Sequence, residues 1–290
     1  HRDLHSFPTR RSSDLAVLQK TKKSTDREKQ LFSLWISPVI GDLSFKDVGI
    51  DYLEKIISNM ISANRSPRSI KYAMAVISQV FNYANSRNVY IGQSPTKKIQ
   101  VPSKDNRRLR FLSHEEASLL LDEIKKISIT LYEMSLLSLH TGARAGEIFS
   151  LLWGNVDLER NQIYLVDTKT GKNRIAFMTN DVKKMLSTKK VGNPNDFVFV
   201  NRNGGRYLNP SRTFDRTAEK IGLNAGVTDR RNKVVFHTLR HTFASWLVEN
   251  GENLYTVKEL MGHSTLQMTE RYAHLGDNTL KKAIQNFPEL

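Results

Sequence analysis

The spacing of apolar residues in the first third of the chain predicts a set of amphipathic helices. The first helix follows a capping pair, Thr25 and Glu28, and is expected to end at Pro38. A second helix is expected over about 47–63, where apolar residues recur every three or four positions. The residues of this stripe are Ile50, Leu53, Ile57, Met60 and Ile61.

A third helix has the clearest signals at its beginning, with Ser66 as the N-cap and Pro67 in the first helical position. Its apolar stripe, like the others, is typical of a hydrophobic core and not of a cofactor site. Residues 101–110 combine a proline with clustered arginines and lack apolar periodicity, which indicates a linker. We therefore expect a small helical domain over 16–105 and a second domain over 106–290.

The second domain is expected to begin with three helices. The first, over about 114–126, follows a capping pair formed by Ser113 and Glu116. The second, over about 130–140, is expected to break at Gly142, where a third helix begins.

Two strand-like stretches, QIYLVD and RIAFMT, joined by TKTGKN, then predict a hairpin with Gly171 in its turn. The expected strands of this part of the chain are 162–167, 174–179 and 197–200, and the expected helices are 180–187 and 210–221. Because helices outnumber strands throughout, the predicted fold class is mainly α with a small antiparallel β-sheet (α+β).

The most unusual stretch lies near the end of the chain, over residues 236–275. Helical patterns end there at Gly251 and Gly262, and Ser264 with Gln267 has the spacing of a capping box for a further helix. This stretch concentrates side chains that can carry charge or move protons, namely His237, Arg240, His241, His263, Arg271, Tyr272 and His274.

The charge of the chain points to a polyanionic partner. It has 44 Lys and Arg against 29 Asp and Glu, a formal net charge of +15. Both predicted domains are basic: the first has 14 Lys and Arg against 7 Asp and Glu, and the second has 27 against 20. Two basic domains favour a clamp around a duplex over a single binding face. A membrane surface is disfavoured because acidic residues are interspersed throughout. The absence of cysteine excludes disulfides, thiol catalysis and Cys-based zinc sites.

Three short motifs together resemble the tyrosine recombinases, the phage-integrase family. They are HTLRHT at 237–242, the Gly262–His263 pair, and ERYAHL at 270–275, with the tyrosine nine residues beyond His263. TGARAGEI at 141–148 resembles a further motif of this family, and TKTGK at 168–172 has the form of its β-hairpin lysine motif.

The resemblance implies a catalytic set of Arg144, Lys169, His237, Arg240, His263 and Tyr272. Tyr272 would attack a DNA phosphate whose oxygens the two arginines hold, since a guanidinium forks onto two oxygens and stays protonated. His237 would be the base, His263 would bond the phosphate, and Lys169 would protonate the leaving oxygen, with Lys172 as an alternative. Neither a cofactor nor a metal is expected.

The resemblance also implies partners and a location. The expected partner is double-stranded DNA at a recombination site, bound as a homotetramer, with DNA-bending accessory proteins possible and no membrane involved. The 16–105 region resembles the helical core-binding domain of the family, and the expected setting is the bacterial cytoplasm at the nucleoid. A prophage or mobile-element integrase is favoured over two alternatives, a catalytically silent DNA-binding remnant and a type IB topoisomerase.

The first fifteen residues do not resemble the rest of the chain. Residues 7–15, FPTRRSSDL, resemble a translation of a common sequencing-library adapter, and no apolar stretch follows that would suggest a signal peptide. The hypothesis is that residues 1–15 are not native.

Overall fold

The computed structural model describes residues 25–102, 110–166, 173–209, 212–276 and Gln285. Within these ranges the chain forms two compact units, one up to Pro102 and one from Arg110, each with its own hydrophobic core. The predicted fold class is confirmed, because helices dominate and a small antiparallel sheet is present. The segment 1–15, for which a non-native origin was inferred, lies outside the described residues.

The first unit begins with a helix that continues past the proline expected to end it. This helix consists of α1 (Thr25–Leu31), a π-helical turn (Phe32–Ile36) and α2 (Ser37–Ile40). The prediction of an end at Pro38 was wrong, and the π turn supplies the physical reason. The Ser37 amide donates to the Phe32 carbonyl, and this wider turn accommodates a residue that lacks an amide hydrogen.

Two further helices, α3 (Ile50–Ser62) and α4 (Pro67–Ser86), complete the core of the first unit. The Ser66 side chain accepts a hydrogen bond from the Ser69 amide, as the N-cap prediction requires. Ile50 and Ile61, predicted in the buried stripe of α3, are instead exposed. Ile50 is the first residue of the helix, and Ile61 lies at the edge of the face that packs inward.

The second unit begins with α5 (His114–Ile127), α6 (Ile129–Thr141) and α7 (Ala145–Phe149). The Ser113–Glu116 capping box is formed as predicted. Gly142 ends α6 in the left-handed conformation, at φ 62°.

A three-stranded antiparallel sheet follows, built from β1 (Val156–Asp157), β2 (Gln162–Val166) and β3 (Asn173–Phe177) in that order. The hairpin of β2 and β3 was predicted, whereas β1 was not. The strand predicted over 197–200 was wrong. Its two ends form single bridges to different partners, Leu152 and Arg206, so no ladder develops between them.

The remaining helices are α8 (Asn180–Ser187), α9 (Arg212–Lys220), α10 (Phe236–Glu249) and α11 (Leu254–Met261). Gly251 and Gly262 follow α10 and α11 with positive φ, as predicted for helix ends. The chain then makes two 3₁₀ turns, Leu266–Met268 and Glu270–Gly276.

The capping box predicted at Ser264 and Gln267 is not formed. The Ser264 hydroxyl contacts the Met268 sulfur instead, and the Leu266–Met268 turn has no side-chain cap. The buried Thr269 hydroxyl lies 2.9 Å from His263 Nδ1, which connects this part of the chain to the turn that follows α11.

Helices α6 and α10 are buried on almost every side and form the centre of the second unit. A helix enclosed in this way has no amphipathic stripe, since polar residues such as Ser138, Arg240 and Thr242 are also inside. These polar groups must then find partners within the protein. The turn at the end of α6 and the middle of α10 therefore meet at a buried polar site.

Gly142→Ala is predicted to destabilise the second unit by about 1–3 kcal/mol more than Gly251→Ala. Both glycines have positive φ, 62° at Gly142 and 93° at Gly251, so both substitutions strain the backbone. A Cβ at Gly142 would lie 2.6 Å from the Phe243 ring, whereas a Cβ at Gly251 would meet nothing within 4 Å. Thermal or urea unfolding of the two variants checks this, and equal losses would contradict the packing argument.

Candidate functional site

The C-terminal end of α11 collects three arginine side chains. Arg174 Nη1 donates to the Leu260 carbonyl at 2.7 Å, Arg240 Nη2 to the Met261 carbonyl at 2.5 Å, and Arg144 Nη2 to the Gly262 carbonyl at 3.2 Å. The last carbonyls of a helix lack intrahelical partners and lie at the negative end of its dipole. Three consecutive carbonyls thus bring together three guanidinium groups from distant parts of the sequence.

Arg240 is the most deeply buried of these arginines, with 2% of its surface exposed. It extends from the middle of α10, and its Nη1 also donates to the Gly142 carbonyl. Burial, followed by the charges of Arg144 and Arg174, lowers the pKa of Arg240 to about 9. At neutral pH the group therefore remains protonated.

Glu147 holds two of the arginines through its carboxylate. Its Oε1 accepts from Arg144 Nη1 at 2.7 Å, and its Oε2 accepts from the Arg144 amide at 2.7 Å and from Arg174 Nη2 at 3.1 Å. Burial opposes ionisation, but Arg174 and then Arg144 outweigh it, so the pKa of Glu147 is lowered. Arg144 precedes α7 as its N-cap residue, whereas the sequence pattern placed it on the helix.

His263 directly follows the αL residue Gly262 and faces the arginine cluster. Its Nδ1 lies 2.9 Å from the Thr269 hydroxyl. Burial lowers the pKa of His263 to about 3, and so do the positive charges of Arg240, Arg144, Arg271 and Arg174. The imidazole is therefore neutral at physiological pH.

Tyr272 lies on the second 3₁₀ turn and is 5% exposed. Its hydroxyl is 2.5 Å from Nδ1 of His241, which is also buried. Burial raises the pKa of Tyr272 to about 12, although the charges of Arg271 and Arg240 act in the opposite direction. The tyrosine is therefore a protonated phenol, held by a histidine.

His237, the predicted base, is an exposed residue in the otherwise buried first turn of α10. Its ring packs edge-on against the ring of His241, with centroids 4.8 Å apart. The structure thus places His241, and not His237, in contact with the tyrosine hydroxyl. Lys169 and its alternative Lys172 lie outside the described residues.

Two residues of the site, Arg174 and His241, were not assigned a role from the sequence. Arg174 is opposite Leu165 in the β2–β3 ladder, and both lie on the inner face of the sheet with Ala176. Alternation along RIAF places Arg174 and Ala176 on one face and Ile175 and Phe177 on the other, so the sequence alone favours the two large apolar side chains as the inward ones. The structure instead exposes Ile175 and Phe177. His241 lies four residues after His237, the spacing that puts two side chains on one helical face.

No group of three or more His, Cys, Asp or Glu side chains suited to a metal ion occurs among the described residues. Within the same part of the chain, no helix is both long and apolar enough to span a membrane.

Guanidinium groups around a neutral histidine, with a buried tyrosine beside them, form a site suited to binding a phosphate ester. Residues 110–279 match the model of the phage integrase family, and the chain belongs to that family. The resemblance seen in the sequence motifs is therefore confirmed.

Individual relatives support the same assignment. The chain is 32% identical over 192 residues to the integrase of Salmonella phage P22, a match that covers 63% of this chain and 48% of the P22 protein. The chain thus spans about half the length of that relative.

Two solved structures share the fold. The Tn1549 transposon integrase (residues 82–397, Y379F) in complex with transposon right end DNA superposes with a TM-score of 0.75 at 19% identity, covering 95% of this chain and 99% of that one. A lambda integrase tetramer bound to a Holliday junction superposes with a TM-score of 0.69 at 16% identity, and the match covers 88% of this chain and 76% of that one.

The depressed pKa of His263 predicts how stability depends on pH. Below about pH 6.5 the histidine binds a proton in the unfolded chain but not in the folded one until about pH 3. The free energy of unfolding should therefore fall as the pH decreases through this window. In His263→Gln this contribution is absent, so stability should fall less steeply between pH 6.5 and pH 4. Urea unfolding at several pH values tests this, and parallel slopes would show that His263 is protonated in the folded protein.

Proposed function

We propose that this protein is a site-specific DNA recombinase that cleaves and rejoins DNA through a 3′-phosphotyrosyl intermediate on Tyr272. The observation that carries the proposal is the convergence of Arg144 and Arg240 on the turn at Gly262, near Tyr272. Burial raises the pKa of this tyrosine, and the charges of Arg271 and Arg240 act against that effect. Buried guanidiniums stabilise charge on phosphate oxygens more effectively than they would in water, because the site is partly shielded from solvent. Membership of the phage integrase family supports this function.

The proposed reaction replaces one phosphodiester bond with another. The Tyr272 oxygen attacks the phosphorus and loses its proton, while the bond from phosphorus to the 5′ oxygen breaks. Arg144 and Arg240 hold the two non-bridging oxygens, where negative charge increases during attack. A 5′ hydroxyl from another strand then attacks the phosphorus and loses its proton, while the bond from phosphorus to the Tyr272 oxygen breaks and the tyrosine regains a proton. The strand is thereby rejoined without an external energy source.

Three further residues would handle protons and position the phosphate. His237 is proposed as the base that accepts the phenolic proton, and Lys169 as the acid that protonates the 5′ oxygen. His263 is proposed to bond a phosphate oxygen, and its neutral state leaves one ring nitrogen able to donate.

The contact between Tyr272 and His241 fits a resting state. With its pKa raised to about 12, the phenol is a poor nucleophile at neutral pH. Attack requires the hydroxyl to leave His241 and approach a phosphate held by the arginines. DNA binding would therefore have to compete with a short hydrogen bond between two buried groups.

The proposed partner is double-stranded DNA containing a recombination site, bound by a homotetramer with the help of DNA-bending proteins. The net charge of +15 supports a DNA partner, as do the DNA-bound structures of the Tn1549 and lambda integrases. Residues 16–105 are proposed as the core-binding domain and residues 106–290 as the catalytic domain. The proposed setting is the cytoplasm, at the nucleoid.

A covalent adduct is predicted with a nicked duplex that carries the protein's core site. The site is first selected by binding from random-sequence duplexes. Cleavage next to the nick releases a short strand, so rejoining is blocked and the phosphotyrosyl ester accumulates. The adduct should survive denaturing electrophoresis and form equally well in EDTA, because the arginines supply the positive charge.

Two variants separate an enzyme from a DNA-binding remnant. Tyr272→Phe should bind the site normally and form no adduct, since only one hydroxyl is removed. Arg240→Lys should slow adduct formation about 100-fold or more, because an ammonium cannot reproduce the forked contact. If wild-type protein binds the selected site tightly and gives no adduct, the recombinase proposal fails.

Substitutions of the two neighbouring histidines distinguish the proposed base from the residue that holds the resting tyrosine. His237→Gln should slow adduct formation by about 100-fold or more. His241→Gln should retain adduct formation within about tenfold, since it removes a contact of the resting state. Rates on the nicked duplex provide the measurement, with DNA affinity as the control. The reverse order of effects would assign the base role to His241.

A further inference from the structure

Arg174 lies at the centre of the arginine cluster, although it belongs to the β-hairpin and to none of the helices. It is the second residue of β3, and its side chain is 10% exposed. Its guanidinium contacts three separate elements. Nη1 donates to the Leu260 carbonyl at 2.7 Å, while Nη2 donates to the Gly142 carbonyl at 3.3 Å and to Glu147 Oε2 at 3.1 Å.

Each of these contacts is shared with, or adjacent to, a contact of the two proposed phosphate-binding arginines. The Gly142 carbonyl also accepts from Arg240, and the Glu147 carboxylate also accepts from Arg144. Leu260 immediately precedes the two carbonyls to which Arg240 and Arg144 donate. Arg174 is therefore directly linked, through one common acceptor each, to both arginines.

The structure assigns Arg174 the role of a positioning residue that orients Arg144 and Arg240 for the phosphate and anchors the β-hairpin to them. This inference rests on the proposed function. The phosphate contacts are assigned to Arg144 and Arg240 because these two belong to the family motifs TGARAGEI and HTLRHT, whereas Arg174 belongs to neither.

The local packing requires a long side chain that follows this path. A Cβ on Gly262 would lie 2.3 Å from Arg174 Cδ, so the arginine stem fills the space over this turn. Only a planar group with several donors can reach both the α11 carbonyl and Glu147. A lysine could keep the charge but could not span these acceptors with one ammonium.

The anchoring also concerns the segment that carries the proposed acid. Lys169 precedes Arg174 by five residues, and β3 begins at Asn173. The strand that follows this segment is therefore connected to the arginine cluster by the hydrogen bonds of Arg174. Loss of these hydrogen bonds should impair the chemical step more than DNA binding, since binding depends on many phosphate contacts.

The test compares Arg174→Lys and Arg174→Gln with a matched control, Arg160→Gln. Arg160 belongs to the turn between β1 and β2, and its side chain is 74% exposed. For both Arg174 variants we expect adduct formation on the nicked duplex to slow by about 10- to 100-fold at saturating DNA. DNA affinity and the thermal unfolding midpoint of Arg174→Lys should remain close to those of the wild type. Arg160→Gln should match the wild type in rate.

A double substitution examines the route of the effect. If Arg174 acts through Glu147, the loss of rate in Arg174→Gln/Glu147→Gln should be smaller than the product of the two single losses. Multiplicative losses, or a rate for Arg174→Lys equal to that of the wild type, would overturn the proposal. A loss of DNA affinity with an unchanged rate at saturation would also overturn it.

A crystal structure of Arg174→Lys keeps this inference separate from the recombinase proposal. We expect the Arg144 side chain to lose at least one of its contacts with Glu147 and the Gly262 carbonyl. If the wild type forms no adduct, the recombinase proposal fails. The crystal structure of Arg174→Lys still tests whether Arg174 positions Arg144 and Arg240. Unchanged Arg144 and Arg240 side chains in the variant would overturn it.

Discussion

The second unit depends on one interaction, the donation of three guanidinium groups to three consecutive carbonyls at the end of α11. A positively charged cluster in a protein interior would normally be unfavourable, because burial and mutual repulsion both oppose it. Here the oxygens at the negative end of a helix offset part of that cost, and the Glu147 carboxylate offsets more. The arginines come from the N-cap of α7, from β3 and from α10, so this turn aligns elements that are far apart in sequence.

The same arrangement explains the properties of the surrounding titratable groups. Burial and then the positive potential keep His263 neutral, and the potential keeps Glu147 ionised and opposes the effect of burial on Tyr272. A group that enters this site with negative charge would therefore be stabilised without proton uptake by the protein. The Tyr272 hydroxyl is bound to His241 in this structure, so the reactivity of the tyrosine depends on a local rearrangement that breaks this contact.

Local signals in the sequence predicted most of the helices, because caps and glycines act over a few residues. The Ser113–Glu116 box and the glycines at 142, 251 and 262 are of this kind. The failures at Pro38 and Ser264 have a different origin. A π turn carries the helix past the proline, and a contact between Thr269 and His263, six residues apart, is formed in place of the expected cap. Neither effect can be read from residue spacing.

For the site, the resemblance of the motifs implied that Arg144, Arg240, His263 and Tyr272 belong to one catalytic set. The structure places these residues near one another, around the turn at Gly262. Their catalytic roles remain predictions. Spacing did not indicate that His241 would contact the tyrosine, because only the packing of the 3₁₀ turn against α10 decides which histidine it meets. Arg174 escaped notice because a charged residue next to a hairpin turn usually faces solvent.

The close approach of Gly262 to Arg174 also constrains how related sequences can diverge. At position 262 a side chain larger than hydrogen would occupy the path of the arginine stem, and the backbone there has positive φ. The two positions, 88 residues apart, should therefore change together or not at all. A relative with a larger residue after α11 should carry a shorter side chain at the start of β3, and it would need another group to neutralise its counterpart of Glu147.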